Sequence, residues 1–330
     1  MQEHDVVGIG NAIVDILGRC DDAFLARYGR VKGSMQLVDA AAVHELYDAM
    51  GPGIEISGGS VANTMVGVAS FGGKAGFIGK TANDQFGEVF RHDIRAAGVT
   101  FNTQPDGGGE PTGRSLILVT PDGQRTMNTS LGVSPQLGGG EVDADLIGSA
   151  RILYLEGYLF DRPEAKAAFR QAADIAAKAG RQVALSLSDP FCVDRHRPEF
   201  LELVKKSVDI LFANEAEIIS LYQAQSFDAA AAEAQRDTKL AALTRSEKGS
   251  VILGDGRSIV VPAAPVAKVV DTTGAGDLYA AGFLFGVASG KDLETAGRLG
   301  SLAAAEVISH MGARPEVKLA ELARAKAILK

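Results

Sequence analysis

Short apolar runs alternate with helical patterns along most of this chain, which predicts an α/β fold with a mostly parallel central sheet covered by helices on both faces. At 330 residues and 46% hydrophobic content, one large domain and a small accessory one can each bury a core. Two stretches, 17–57 and 101–131, break the rhythm; they are rich in Gly, Pro and polar turns.

In chain order, strands are expected at 5–9, 75–79, 151–155, 182–187, 209–213 and 239–244, each a short apolar run. Helices are expected between them at 60–70, 84–97, 163–179 and 214–222, the third with Pro163 at its first position. The Ala-rich piece 229–234 has helix-forming composition, and 274–330 reads as largely helical. Inside the two irregular stretches, Ser34–Val38, Arg114–Thr120 and Arg125–Thr129 are extended, with Pro121-Asp122-Gly123 as a hairpin turn. Paired together, such pieces make a small sheet; unpaired, they are surface loops.

Composition narrows the function. Net charge is −8 and no large Lys/Arg cluster occurs, which argues against nucleic acid and anionic membranes as partners. Cys20 and Cys192 form neither a metal spacing nor a disulfide framework, and the five histidines are scattered. The N-terminus lacks a basic leader and no apolar run reaches about 18 residues, so a cytoplasmic protein is expected. Gly8-Ile9-Gly10 after the first strand imitates a dinucleotide fingerprint, but Ile13 stands where the third glycine belongs.

The most informative segment is Asp271-Thr272-Thr273-Gly274-Ala275-Gly276-Asp277, running into an apolar helix. A Gly-Ala-Gly turn leaves backbone N–H groups uncovered, and the helix dipole points its positive end at the same spot, so the turn suits an anion. A carboxylate there is repelled by phosphate, unless Asp277 takes a proton from an attacking hydroxyl while the N–H groups hold the transferring charge. An Asp-capped Gly turn at a helix start is the other reading of the same residues.

This segment resembles the C-terminal signature of the PfkB-type carbohydrate kinases, the ribokinase-like family. The N-terminal signature is matched by Gly58-Gly59-Ser60-Val61-Ala62-Asn63-Thr64, followed by Gly67, Gly72-Gly73 and Gly79. The resemblance runs from Gly8 to about Pro315 and implies a ribokinase-like fold. Its main catalytic domain would comprise 1–16, 58–100 and 132–330, and a lid would comprise 17–57 and 101–131. It further implies ATP as donor, Mg²⁺ as cofactor, a nucleoside or sugar as acceptor, and a monomer or homodimer.

Carried residue by residue, the resemblance makes Asp277 the base and Gly274, Ala275 and Gly276 the anion turn. Asn11, Asp15, Gly59, Ser60 and Asn63 would bind the acceptor's sugar hydroxyls, although Asn and Asp at strand ends also simply form turns. Asn214-Glu215-Ala216-Glu217 reads as an Asn N-cap with acids in the first turn; by resemblance, Asn214 and Glu217 hold Mg²⁺ through water, and Asn214 lies beside ATP. Thr244 and Gly249 fall where the nucleotide site begins. Asp271 and Thr273, with the turn 307–316, correspond to a monovalent-cation site, K⁺ in relatives.

Several segments are more similar to adenosine kinases than to ribokinases or fructokinases: 10–15, 152–160, 186–191 and 208–215. Tyr158 and Phe191 would then line the adenine pocket; core packing is the alternative for both. The expectation is a purine-salvage kinase making AMP. Alternatives are a kinase for another nucleoside or a sugar such as ribose or fructose, or a non-catalytic nucleoside-binding protein on the same fold.

Overall fold

The computed structural model describes residues 3–330. Its strands, in chain order, are β1 (His4–Ile9), β2 (Ile13–Arg19), β3 (Met35–Leu37), β4 (Gly53–Gly58) and β5 (Ala75–Ile78). These are followed by β6 (Val99–Phe101), β7 (Gly113–Val119), β8 (Arg125–Ser130), β9 (Ala150–Glu156) and β10 (Gln182–Ser186). The last four are β11 (Ile210–Asn214), β12 (Leu240–Thr244), β13 (Ser250–Gly254) and β14 (Arg257–Val261). The helices are α1 (Asp22–Arg27), α2 (Ala40–Ala49), α3 (Ser60–Ser70), α4 (Gln85–Ala96), α5 (Ala144–Ser149) and α6 (Pro163–Lys178). After them come α7 (Pro190–Lys206), α8 (Glu215–Tyr222), α9 (Phe227–Asp237), α10 (Ala275–Ala288), α11 (Leu293–Val307) and α12 (Leu319–Ala325).

Nine strands form the large sheet in the order β14-β13-β12-β11-β10-β9-β1-β5-β6. Its pairs are parallel from β12 through β6, and antiparallel only at β12–β13 and β13–β14. Side chains alternate between faces, and each face carries its own core. Val6, Phe77, Tyr154 and Phe212 pack on one side; Val7, Ile9, Leu153 and Leu155 pack on the other. Helix α10 is apolar nearly all round because it lies between this sheet, α3 and α11.

The other five strands form a separate small sheet in the order β3-β8-β7-β2-β4. The expected extended pieces become β3, β7 and β8, and the turn between β7 and β8 closes where Pro121-Asp122-Gly123 stands, with Gly123 at φ 81. Strand β2 starts at Ile13, before the irregular stretch, because Val14 and Ile16 turn inward while Asp15 and Leu17 do not.

Several elements escaped the sequence reading, α5, α7, β4 and β6 among them. Helices α1 and α2 sit inside 17–57, each begun by an Asp N-cap, Asp21 and Asp39. The β13–β14 hairpin turns on Asp255-Gly256, both at positive φ, which is a strong two-residue hairpin signal in the sequence. Among the described residues no helix is long and apolar enough to cross a membrane.

Candidate active site

Asp277 is the third residue of α10, which starts from Gly274 in the left-handed conformation (φ 78). The first intrahelical bond is Leu278 N–H to Gly274 O at 2.8 Å, so the N–H groups of Gly276 and Asp277 lie ahead of the helical ladder. A Cβ on Gly276 would meet nothing within 4 Å.

Helix α3 supplies the partners of the carboxylate. Ser60 Oγ donates to Asp277 Oδ1 at 2.6 Å, Asn63 Nδ2 donates to Oδ2 at 2.9 Å, and Thr64 Oγ1 donates to the Asp277 carbonyl at 3.1 Å. Spacings of three and four put these residues on one helical face. That face comes close to α10 because Gly67, one turn on, has no side chain: a Cβ there would lie 2.5 Å from Ala281 Cβ and 2.8 Å from Leu278 Cδ1.

The carboxylate faces a cavity of about 320 Å³. The large sheet and its helices contribute Ser60, Asn63, Tyr158, Asn214, Glu217 and Thr244, with Thr273, Gly274 and Gly276 from the anion turn. The small sheet contributes Asp15, Ser115, Met127 and Thr129, so the cavity lies between the two sheets. Gly59 also lines it, at φ 102. Ser186, Ser188 and Tyr154 on the wall were missed from sequence. Ser188 carried a faint signal, lying just before the Asp189-Pro190 helix start. It takes φ 71, and both its Oγ and its carbonyl bond Tyr158, through the Tyr158 N–H at 3.3 Å and the phenol at 3.2 Å.

Five predicted residues stand off the wall. Asn11 is buried: its Nδ2 donates to Glu156 Oε1 at 2.6 Å and its Oδ1 accepts from Ser134 Oγ at 2.9 Å. Those bonds engage both ends of its amide, so Asn11 braces Glu156 behind the site. Gly249 is glycine for a packing reason, since a Cβ would fall 2.1 Å from the Val261 carbonyl across the hairpin. Ala275 opens α10 with its N–H on Thr272 O at 3.2 Å. Phe191 is 75% exposed, at the second position of α7, so it is neither core nor cavity wall. Its neighbour Asp189 is the N-cap of α7, bonding Cys192 N–H at 2.7 Å.

Asp271 is the fifth. Its Oδ2 accepts from Arg125 Nη1 of β8 and from Gly312 N–H at 3.0 Å, and its Oδ1 accepts from Thr273 N–H at 3.0 Å. Arg125 Nη1 also donates to Thr273 Oγ1 at 2.6 Å. Burial pushes this carboxyl up, but Arg125 and the two N–H groups outweigh it and hold Asp271 below its ordinary value. With both oxygens engaged and a guanidinium against them, this donor set does not fit a K⁺ ion in this conformation.

Around the cavity, burial raises four acids. It lifts Asp277, against the pull of Ser60, Asn63 and Arg314. It lifts Asp15 to about 6, opposed by Arg314 and Arg125 and reinforced by Asp277. Glu156 and Glu217 each rise to about 7 for the same first cause. Asn214 and Glu217 form a reciprocal cap: Glu217 Oε2 accepts from Asn214 N–H at 2.9 Å, and Asn214 Oδ1 accepts from Glu217 N–H at 2.9 Å. Among the described residues no group of three or more His, Cys, Asp or Glu could hold a metal. Both oxygens of Glu217 accept from Asn214, through its N–H at 2.9 Å and its Nδ2 at 2.6 Å, so this pair on the cavity wall suits the water shell that Mg²⁺ keeps and not direct coordination.

A carboxylate and open helix N–H groups facing one cavity define a group-transfer site for an alcohol and a phosphate. The pattern of the pfkB family carbohydrate kinases matches residues 54–319, and the chain belongs to that family of phosphotransferases. In structure it is similar to a probable sugar kinase from Rhizobium etli CFN 42, with 49% identity, TM-score 0.92 and 100% of each chain covered. It is also similar to adenosine kinase from Sinorhizobium meliloti, with 53% identity, TM-score 0.90 and 98% and 99% of the two chains covered. The adenosine kinase of Saccharomyces cerevisiae is 28% identical over 332 residues, covering 93% of this chain and 95% of the yeast protein.

Proposed function

We propose that this protein transfers the γ-phosphoryl group of ATP to the 5′-hydroxyl of adenosine, releasing AMP and ADP. The observation that carries the reading is Asp277, held by Ser60 and Asn63 at a cavity wall beside the N–H groups of Gly276 and its own backbone. Asp277 accepts the proton of the acceptor hydroxyl as that oxygen attacks the γ-phosphorus and the bond to ADP breaks. The open N–H groups at the α10 start receive the charge on the transferring oxygens. Bound Mg²⁺ would neutralise phosphate charge, and Glu217 with Asn214 would orient its water shell.

Asp15, Gly59, Ser60 and Asn63 lie where a ribose could meet them, and Tyr158 offers a ring to a base. Phe191 joins that wall only if its helix turn moves inward. For ATP, Thr244 and the anion turn supply the phosphate end. A second groove, lined by Val260, Ala264, Val266 and Leu302, is mostly apolar and flanks the segment leading into Asp271, which suits a purine. The small sheet, with the stretches 17–57 and 101–131, acts as a lid that excludes water from the transfer. Asp271 and Thr273 serve as its docking point for Arg125 rather than as a cation site.

Adenosine is favoured over sugars by the aromatic wall at Tyr158 and by the 53% identity to the Sinorhizobium adenosine kinase. A sugar acceptor is favoured by the 49% identity to the Rhizobium probable sugar kinase. A non-catalytic binding role is disfavoured because a sensor has no use for a base in its anion turn. The test is a panel of nucleosides and sugars with ATP and Mg²⁺. Adenosine should be the best acceptor; faster turnover of ribose or fructose removes the nucleoside reading and leaves the kinase, and no turnover of any acceptor removes both.

A further inference from the structure

Arg314 is a half-buried cation behind the cavity wall with no place in the transfer chemistry. It follows Gly312, whose N–H bonds Asp271, and Ala313, against which Gly274 packs so closely that a Cβ would lie 2.7 Å from Ala313 Cβ. Its segment thus rests on the anion turn. Its guanidinium crosses to the other glycine turn. Nε donates to Ser57 O at 2.9 Å, Nη2 to Ser57 Oγ at 2.9 Å, and Nη1 to Ala62 O at 3.1 Å. Ser57 is fixed from behind by Asp93 of α4, which accepts its N–H at 2.8 Å. Between Ser57 and Ala62 stand Gly58, Gly59, Ser60 and Val61, and Asn63 follows directly.

The charge balance around Asp277 gives this fork a second role. Asp15 on β2 and Glu217 on α8 share the cavity wall, Glu156 is buried at the end of β9, and Asp189 caps α7. The phenols of Tyr154 and Tyr158 add no positive charge. Against these acids stand two guanidinium groups, and Arg125 is engaged with Asp271. Burial lowers Arg314 only to about 10, so it stays charged at neutral pH.

We propose that Arg314 is a positioning residue for phosphoryl transfer: it locks the 57–62 turn so that Ser60 and Asn63 reach Asp277, and its guanidinium is the counter-charge held on that turn. This rests on Asp277 being the base. Two neutral variants, Arg314→Met and Arg314→Gln, and the charged Arg314→Lys are compared with wild type. The titration of the Asp277 carboxyl is followed by ¹³C NMR, its signal assigned with Asp277→Asn, which needs no acceptor. Loss of an opposite charge should move the midpoint up by roughly one pH unit in the neutral variants. Arg314→Lys should hold the midpoint but lose the three-point grip, with kcat down by as much as about 10²-fold. A midpoint unmoved in a folded neutral variant overturns the electrostatic half. Wild-type kcat in Arg314→Lys overturns the positioning half, and that variant decides alone if the neutral ones do not fold. A raised midpoint together with full activity of Asp277→Asn would fault the base assignment instead.

Discussion

Two glycine turns open two helices at this site, and their glycines are there for different reasons. Gly59, ahead of α3, sits at φ 102, and a Cβ would fall 2.2 Å from the Asn11 carbonyl; the protein's own backbone excludes a side chain. Gly276, in the first turn of α10, is an ordinary helical position with nothing within 4 Å of a Cβ. Neither strain nor packing requires a glycine there; the proposed transfer does, through close approach of a phosphate to the backbone. The fold requires the first glycine, and the proposed chemistry requires the second. A third helix start at the cavity, that of α8, is closed by its own Asn214–Glu217 cap and offers side-chain oxygens in place of N–H groups.

The largest effect expected from breaking this division is at Asp277. Asp277→Asn keeps the shape and the helix but cannot take the proton, so kcat should fall roughly 10²–10⁴-fold with acceptor binding nearly intact. A variant keeping more than about a tenth of wild-type turnover would mean that the anion turn works without a base.

Next come the glycines. Gly276→Ala should leave thermal unfolding close to wild type, within about 0.5 kcal/mol, and lower kcat about 10–100-fold. Gly59→Ala should instead destabilise the fold by about 2 kcal/mol or more, read as a clear drop in Tm. The reverse pattern in the two melting curves would erase the distinction.

Smaller still is the effect of Glu217→Gln. A capped helix start that also orders hydrated Mg²⁺ should need several-fold more Mg²⁺ for half-maximal rate when the charge is removed, on the order of one charge–dipole contact. An unchanged Mg²⁺ titration would return the pair to helix capping alone.

The smallest effect is on pH. The base must be ionised, so kcat/KM falls as pH drops through its pKa, and burial places that limb above the ordinary carboxylate range. Ser60→Ala removes a donor to the ionised form, which raises the pKa further. The acid limb should therefore move upward, by roughly half a pH unit to one pH unit. A limb that stays put, or moves down, shows that Ser60 does not support the charge.

How much of this was legible in the chain follows from how local each signal is. The turn at 271–277, the cap at Asn214, and the strands β1, β5, β9, β10, β11 and β12 depend on neighbours within a few residues, and they stand at the expected places within a residue or two. The β13–β14 hairpin was equally local and was simply overlooked at Asp255-Gly256. Asn11 was a different kind of miss. A polar residue at a strand end looks the same in sequence whether its amide faces a ligand or a buried carboxylate, and here Glu156, 145 positions away, claims it.

The sequence by itself carried the pfkB-type class through its two signature segments, and it determined the α/β alternation and the glycine turn that opens α10 with Asp277 in it, because periodicity, glycine φ requirements and capping act over one helical turn or one strand. Only the tertiary structure decided which groups hold that acid. Ser60 and Asn63 lie 217 and 214 residues from Asp277, and Arg314 lies 257 from Ser57. Those pairings arise where α3 packs on α10 through Gly67, where the 312–314 segment bridges the two turns, and where β8 brings Arg125 to Asp271. Long-range hydrogen bonds and buried charge pairs depend on how the sheets and helices stack, and no local pattern in the chain carries that information.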